Sequence, residues 1–140
     1  FYAPKAMTRS LTISIADDEA FTRATLRAML AALGHRVVGQ AENGQQLLDQ
    51  CQGAPPELAI IDLEMPVLDG LATAEELRAT RPMPVILLSG HPDFDHVVRQ
   101  QEPIEVYLSK PVTLQSLDQA IREAVSRFGQ AESVLAPKPR

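Results

Sequence analysis

The sequence predicts one α/β domain in which helices cover both faces of a parallel sheet. Five short apolar runs alternate with amphipathic segments along the 140 residues, a pattern typical of βαβ units joined by right-handed crossovers. The third run, ELAIIDL, is apolar almost throughout, as expected for a central strand buried on both faces. We therefore expect a doubly wound (βα)5 fold, a sandwich of three layers.

The first half of the chain supplies two strands and two helices. LTISIAD alternates apolar and β-branched residues and stops at acids, which predicts the first strand. EAFTRATLRAMLAALG predicts a helix that ends at Gly34 in the left-handed capping position. HRVVGQA is a short second strand, and GQQLLDQCQG a short helix. The apolar residues of the first helix share one face: Leu26, Met29, Leu30 and Leu33.

The second half continues the alternation. Pro55 and Pro56 break the chain before the third strand, and LATAEELRAT follows as a helix. VILLSG predicts the fourth strand, DFDHVVRQQ a short fourth helix, and IEVYLS the fifth strand. The last helix, which we expect to end near Gly129, has the clearest three- and four-residue periodicity. Its apolar residues are Leu114, Leu117, Ile121, Ala124, Val125 and Phe128.

Composition narrows the class of protein. Eighteen acidic and 13 basic residues give a net charge of −5, which argues against a broad basic surface and hence against direct nucleic-acid binding. No apolar run reaches the ~18 residues of a membrane span. The single cysteine, Cys51, cannot form an internal disulfide and has the spacing of a core residue. These features predict a cytoplasmic protein without membrane contact.

We expect three segments along the chain. Residues 1–9 are interpreted as a disordered start, with the first six a vector-derived remnant or a processed end, because Phe1 precedes a methionine at position 7. Residues 10–128 form the domain. Residues 129–140, with Pro137 and Pro139, are a tail or the start of a linker. The three histidines, His35, His91 and His96, lack the spacing of metal ligands and are expected at the surface.

Polar side chains follow four of the five predicted strands. Asp17 and Asp18 follow the first, Asp62 the third, Ser89 the fourth and Lys110 the fifth. In open parallel sheets ligands bind at the carboxyl ends of the strands. Three carboxylates, a hydroxyl and an ammonium are therefore expected at one edge.

The crowded acids indicate a cation site. Neighbouring carboxylates repel and raise one another's pKa values unless a cation joins them, and Mg²⁺ accepts oxygen ligands alongside several waters. We interpret Asp17, Asp18 and Asp62 as a Mg²⁺ site. There the Asp62 carboxylate could attack a phosphoryl donor and form an acyl phosphate, while Lys110 and the Ser89 hydroxyl meet the charge of the transferred group.

Four stretches, IADDEAF, IIDLEMPVLDG, VILLSG and VYLSKPV, resemble the signature stretches of the receiver domain of two-component response regulators. They occur in the family's order and in matching strand contexts, and the resemblance covers residues 10–128. It implies a flavodoxin-like fold with strand order 2-1-3-4-5. It also implies a cytoplasmic signalling protein that catalyses only its own phosphorylation and dephosphorylation.

The resemblance assigns a role to each matching position. Asp62 would be the phosphoacceptor, with Lys110 and Ser89 contacting the phosphoryl group. Mg²⁺, or Mn²⁺, would be held by Asp17, Asp18, Asp62 and the backbone carbonyl of Glu64. Ser89 and Tyr107 would form the switch, and the Lys110–Pro111 bond would be the family's cis peptide.

The implied partners are a sensor histidine kinase or a histidine phosphotransfer protein as donor, and a downstream target or output domain as receiver of the signal. Phosphorylation would change the surface formed by the fourth helix, the fifth strand and the last helix, which we call the output face. A homodimer through that face is also compatible with the resemblance.

Two departures from the family pattern stand out. QQEPIEVYLSKP brings Pro103 and Glu105 to a region where the family often has a Gly-Ala pair, which puts the fourth helix and the output face in question. Glu64 and His91 stand two residues after Asp62 and Ser89 respectively. In receivers these positions look toward the attacking water, so we hypothesise that both residues tune the lifetime of the acyl phosphate.

Alternatives remain open for single residues. Asp62 alone could start a turn, Asp17 and Asp18 could cap a helix, and Tyr107 on an edge strand could simply pack.

Alternatives also remain open for the whole chain. An aspartyl-phosphate phosphatase would need two acids spaced by two residues on one side of a strand, whereas Asp17 and Asp18 are adjacent. A flavodoxin-like cofactor binder would need backbone amides and hydroxyls to bind the flavin phosphate after the first strand, where these acids lie. A constitutive binding module independent of phosphorylation is a further reading. For output, the chain is a stand-alone receiver or part of a longer regulator, and LDQAIREAVSRFGQAESVL resembles the linking helix of RNA-binding antiterminator types.

Overall fold

The structure, a computed structural model, describes residues 10–90 and 106–135, with side chains as far as residue 130. The predicted fourth helix, Pro103, Glu105 and His91 lie outside these residues. Strands and helices alternate from β1 to β4 as the sequence predicts, and a helix follows β5. The elements are β1 (Thr12–Ala16), α1 (Ala20–Ala32), β2 (Arg36–Ala41), α2 (Gly44–Gly53), β3 (Leu58–Asp62), α3 (Gly70–Thr80), β4 (Val85–Ser89), β5 (Val106–Ser109) and a last helix (Leu114–Leu135).

The five strands form one parallel sheet in the order β2-β1-β3-β4-β5. This confirms the flavodoxin-like topology. The strand order reverses between β1 and β3, because the chain crosses from β2 on one side of β1 to β3 on the other. The crevice at such a reversal is where open α/β sheets bind their ligands. Every residue of β3 and β4 is buried, as expected of strands covered on both faces.

Among the residues that the structure describes, each face of the sheet packs against two helices. One apolar cluster joins β1, β3, β4 and β5 to α1 and the last helix through residues such as Leu30 and Ile121. The second joins the opposite side of the sheet to α2 and α3 through Leu47, Cys51 and Leu77. The predicted three layers are therefore present, and Cys51 is a core residue, as the sequence predicts.

Local signals explain three of the helix ends in the described part of the chain. Gly34 has φ of 90°, and the amides of Gly34 and His35 donate to the carbonyls of Ala31 and Leu30, at 3.0 and 2.9 Å. This is a Schellman motif, and it confirms the predicted cap. Asn43 and Asp69 are the N-cap residues of α2 and α3, and the side chain of each accepts an amide hydrogen from the residue three positions on.

Two sequence predictions are wrong. The last helix continues to Leu135, past the predicted end near Gly129, because a glycine inside an exposed helix costs only ~1 kcal/mol. His35 is 5% exposed and not at the surface. It lies between the turn at Gly34 and the start of β2, where its Nδ1 accepts the amide hydrogen of Leu11 at 3.1 Å.

In the part of the chain that the structure describes, none of the helices combines the length and the apolar composition that crossing a bilayer requires.

Candidate functional site

The turn after β1 holds Asp17 at a fixed place. Its amide donates to the carbonyl of Ala41 at the end of β2, at 3.0 Å, and its Oδ1 accepts the amide hydrogen of Glu19 at 2.9 Å. The Asp17 side chain is fully buried, whereas the next residue, Asp18, is exposed. The two adjacent acids therefore meet different environments.

The end of β3 brings in Asp62, which is 6% exposed. The following loop folds back so closely that Gly70 has no room for a side chain. A Cβ atom on Gly70 would lie 2.4 Å from the Asp62 carbonyl oxygen and 2.8 Å from the Leu63 Cα. The Gly70 amide donates to the Leu63 carbonyl at 3.0 Å, so this glycine closes the loop beside the acid.

The same loop carries a strained residue. Val67 has φ of 69°, a left-handed conformation that costs a β-branched residue on the order of 1–3 kcal/mol. Its side chain is 79% exposed, so burial does not offset this cost.

The carboxylates gather around Lys110 at the carboxyl edge of the sheet. Oxygen atoms of Asp17, Asp18 and Asp62 all lie within 4.8 Å of one another. The Lys110 Nζ lies 3.4 Å from Asp17 Oδ2 and 3.5 Å from Asp62 Oδ1. One ammonium thus faces three carboxylates, which leaves the pocket with surplus negative charge.

The surplus charge perturbs the ionisation of the buried groups. Burial raises the pKa of Asp62 to about 6, and the neighbouring Asp17 carboxylate raises it too, against the opposing effects of Lys110 and of the Glu64 amide hydrogen bond. Burial lowers the pKa of Lys110, but attraction to Asp62 and Asp17 outweighs this effect, and the pKa is raised. Lys110 therefore stays charged, while Asp62 is a carboxylate that is costly to ionise without a further cation.

The donor set fits a small hard divalent cation. All three groups offer oxygen, and hard ions such as Mg²⁺ and Mn²⁺ prefer carboxylate and water oxygens to nitrogen or sulfur. Two of the acids are buried and one is exposed, so an ion can approach from solvent and keep water ligands. The acidic triad is therefore able to bind a metal ion.

The other residues named by the resemblance, apart from His91, fall within the described part of the chain. Ser89 is buried at the end of β4, and its carbonyl accepts the Lys110 amide hydrogen at 2.8 Å. Tyr107 on β5 is half-buried and packs against the cluster of α2 and α3. The Lys110–Pro111 peptide is cis. Glu64 is exposed.

Sequence reasoning missed Arg23, which lies on α1 six residues after Asp17. Its Nη1 donates to the Asp17 carbonyl oxygen at 2.6 Å. One signal was present: a cation near a helix N-terminus opposes the helix dipole, so an arginine there calls for a compensating partner. Gly70 was expected only as a marker of the loop after Asp62, and its close approach to the Asp62 backbone was not foreseen.

Comparisons with known proteins agree with this geometry. The family model described as the response regulator receiver domain matches residues 13–122. The chain is 37% identical over 117 residues to the transcriptional regulatory protein PdtaR of Mycobacterium tuberculosis, an alignment that covers 83% of this chain and 57% of that protein. It is 38% identical over 122 residues to the transcriptional regulatory protein AfsQ1 of Streptomyces coelicolor, covering 85% and 52%.

A solved structure gives the same picture. The crystal structure of the signal receiver domain of a modulated diguanylate cyclase from Desulfovibrio desulfuricans G20 superposes with a TM-score of 0.75 at 28% identity, covering 88% of this chain and 99% of that one. The chain thus matches that domain over nearly its whole length, whereas it spans just over half the length of the two regulators.

Proposed function

This chain belongs to the response regulator receiver family, and from that premise we propose that Asp62 accepts a phosphoryl group from a histidine kinase or a histidine phosphotransfer protein. The observation that carries the proposal is the buried Asp62 carboxylate, which shares Lys110 with Asp17 and lies within metal-ligand reach of Asp17 and Asp18. A receiver is a phosphoacceptor signalling module, and its chemistry is confined to gaining and losing its own phosphoryl group.

The metal that we propose is Mg²⁺, with Mn²⁺ as a substitute. Asp17, Asp18 and Asp62 would supply carboxylate oxygens and Glu64 its backbone carbonyl. When bound, the ion neutralises charge on the phosphoryl oxygens and on the surrounding acids. The support is the set of three carboxylates that one ammonium cannot neutralise.

The transfer itself needs little movement of this chain. An Asp62 oxygen attacks phosphorus, the phosphorus–nitrogen bond of the donor's phosphohistidine breaks, and the released imidazole nitrogen takes a proton. Lys110, already 3.5 Å from Asp62 Oδ1, then pairs with the phosphoryl group. The hydroxyl of Ser89 would donate to a phosphoryl oxygen, because Ser89 is the last residue of β4, the strand that pairs with β3.

Switching would follow from the added charge. A phosphoryl group brings roughly −1.5 to −2 charge with strong acceptor oxygens, which would draw in Ser89 and allow Tyr107 to turn inward. Parallel register pairs Leu87 with Tyr107, and Ser89 is two residues beyond Leu87, on the same face of the sheet. The output face would then favour one of two states, and a target, an output domain or a second copy would respond to it.

The relatives suggest where such a signal goes. Two longer relatives are named as transcriptional regulators, so we propose that this receiver controls either an output module of the same protein, as in antiterminator-type regulators, or a separate target. We place the reaction in the cytoplasm, where ATP-derived phosphoryl donors are made. The receiver itself would make no direct contact with nucleic acid, in keeping with its net charge of −5.

The test is intact mass after incubation with Mg²⁺ and acetyl phosphate. We expect a gain of about 80 Da, labile at high pH, because the adduct is an acyl phosphate. Asp62→Asn should abolish the gain. Asp69→Asn, which removes a carboxylate from the same loop but keeps the cap of α3, should not. No adduct with any small donor, and no response to beryllofluoride, would instead favour a constitutive binding module.

The lifetime hypothesis has its own measurement. Exchanging Glu64 and His91 for Ala should change the rate at which the phosphorylated protein loses phosphate, since both are proposed to contact the attacking water. An unchanged rate would rule out this role and leave the transfer chemistry as proposed.

A further inference from the structure

We propose that Arg23 is a positioning residue that holds the turn between Asp17 and Asp18 in the shape that binds the divalent cation. This inference rests on the metal site of the proposed function. It adds a residue on α1 that makes no contact with the ion and that sets the affinity of the site through the backbone of its ligands.

Asp17 is held in place by contacts to its backbone and to its side chain. Its amide, both carboxylate oxygens and its carbonyl all have partners. Ala41 accepts from the amide, Glu19 donates to Oδ1, Lys110 lies against Oδ2, and Arg23 donates to the carbonyl oxygen. At 2.6 Å the bond from Arg23 is the shortest of the four, and it is charge-assisted, a type stronger than a bond between neutral groups.

The carbonyl of Asp17 belongs to the peptide group that joins Asp17 to Asp18. A peptide group is planar, so fixing the carbonyl oxygen of Asp17 also fixes the direction of the Asp18 amide and the course of its backbone. The Asp18 side chain is exposed, so burial does little to fix its position. Its place within 4.8 Å of the other carboxylates therefore depends on the backbone of the turn.

A positioning role of Arg23 and a purely electrostatic role predict opposite effects of its removal on the affinity for the metal ion. The guanidinium of Arg23 is a positive charge beside a cation site. If it acted only through its charge, it would repel the metal, and its removal would tighten binding. If it positions the turn, its removal would weaken binding, since partners that orient metal ligands commonly change affinity by about 10–100-fold.

The experiment is calorimetric titration of the full chain with MgCl₂. Arg23→Gln should weaken Mg²⁺ binding about 10-fold. Arg23→Lys, which keeps the charge but lacks the planar fork, should fall between Arg23→Gln and the wild type. The matched control is Arg27→Gln, which removes the same charge one turn along α1 from an exposed residue and should bind Mg²⁺ as well as the wild type or slightly better.

Phosphorylation by acetyl phosphate gives a second readout. For Arg23→Gln the Mg²⁺ concentration that gives half the maximal rate should rise by the same factor, while the rate at saturating Mg²⁺ approaches that of the wild type. A merely structural loss would lower the maximal rate as well. Melting in EDTA shows whether the variant is folded, and if Arg23→Gln is not, Arg23→Lys carries the test.

The outcomes are distinguishable. A wild-type protein that does not bind Mg²⁺ would overturn the proposed metal site itself. A wild type that binds, beside Arg23 variants that bind equally or more tightly, would overturn the positioning role and leave the proposed function intact. Weaker binding by both Arg23 variants, with Arg27→Gln unchanged, would support it.

Discussion

Polar groups have different kinds of partners at the amino edge of the sheet, where the parallel strands begin, and at the carboxyl edge, where they end. At the amino edge, Glu57 Oε1 accepts the amide hydrogen of Thr12 at 3.0 Å, and the Glu57 amide donates to the Thr12 carbonyl at 2.9 Å. Nearby, His35 Nδ1 accepts from the Leu11 amide. At the carboxyl edge, Asp17 and Asp62 are buried against each other with one shared ammonium.

The difference distinguishes a structural polar group from a functional one. The half-buried Glu57 carboxylate, which a backbone amide satisfies, helps to join neighbouring segments and requires no further ligand. His35 joins segments through Nδ1 alone, since its buried Nε2 has no hydrogen-bond partner among the described residues. A cluster with surplus charge raises the free energy of the folded chain until a ligand neutralises it. Such clusters persist where binding uses them, and here the strained Val67 lies on the same edge. Four predictions test this contrast, from the largest expected effect to the smallest.

Lys110→Met should cause the largest change. Without Mg²⁺, in EDTA, the free energy of unfolding should fall by about 3 kcal/mol, because two buried carboxylates lose their cation. Excess Mg²⁺ should recover most of this loss, since the ion replaces the missing charge. The measurement is urea unfolding with and without Mg²⁺.

The double variant Lys110→Met/Asp62→Asn serves as its control. It should be more stable in EDTA than Lys110→Met alone, because one of the two unpaired carboxylates is gone. Equal stability of the single and double variants would show that the charges are not coupled.

Asp62→Asn should stabilise the metal-free protein by about 1–2 kcal/mol near neutral pH. Folding raises the pKa of Asp62 from 3.8 to about 6, so between these values the folded chain binds more protons than the unfolded chain. Stability should therefore fall as the pH rises through this window, and the Asn variant should lack this fall. Loss of the pairing with Lys110 keeps the gain below the ~3 kcal/mol that two pKa units would give.

The measurement is thermal or urea unfolding in EDTA across pH, with the exposed Asp49→Asn as control. A variant less stable than the wild type would mean that Lys110 already compensates the carboxyl edge fully, which would remove the contrast between the edges.

Glu57→Gln tests the amino edge. It should lower stability and leave phosphorylation intact, the reverse of the effects of Asp62→Asn. The free energy of unfolding should fall by about 1 kcal/mol, because a charged acceptor of the Thr12 amide becomes neutral. Phosphorylation by acetyl phosphate should be unchanged. The exposed Glu75→Gln is the matched control for stability, and a Glu57 variant that lost phosphorylation would show that the edges are not independent.

Substitution of His35 should have the smallest effect on stability, and the effect should appear only in the pH dependence of the free energy of unfolding. Burial lowers its pKa below 6.5, and so does Arg122, against the attraction of Asp118. The unfolded chain therefore binds more protons as the pH falls. The stability due to neutral His35 is complete above pH 6.5 and is lost as the pH falls through the folded-state pKa.

His35→Asn isolates this contribution, because its Oδ1 can still accept the Leu11 amide hydrogen but does not titrate. Urea unfolding should show a weaker decline in acid for the variant than for the wild type. Parallel pH profiles would mean that protonated His35 is accommodated, for example by Asp118.

The topology and most of the candidate site could be predicted from the sequence. Apolar runs that end on Asp17, Asp62 and Lys110 imply a shared edge, because the carboxyl ends of parallel strands meet there. Gly34 as a left-handed cap followed from the same local rules. These features depend on neighbours close in the chain or on the regular geometry of a sheet.

Contacts between distant residues were the ones missed. Glu57 and Thr12 are 45 positions apart, and His35 bonds to Leu11 across 24. Arg23 is only six positions from Asp17, but its hydrogen bond goes to a backbone carbonyl. Every residue has a carbonyl, so the sequence of side chains does not indicate which one is the acceptor. The last helix continues past its predicted end because a single exposed glycine destabilises a helix too little to end it.

The sequence by itself determined the order of strands and helices and the residue types that reach the carboxyl edge, since periodicity and strand ends depend on local spacing. The division of the apolar residues into two clusters came from the structure. Tertiary structure alone decided that Asp17 is buried while Asp18 is exposed, that Lys110 reaches both Asp17 and Asp62, and that Arg23 holds the turn between the acids. Those outcomes depend on distances between separate elements, which exist only once the sheet has assembled and the helices have packed against it.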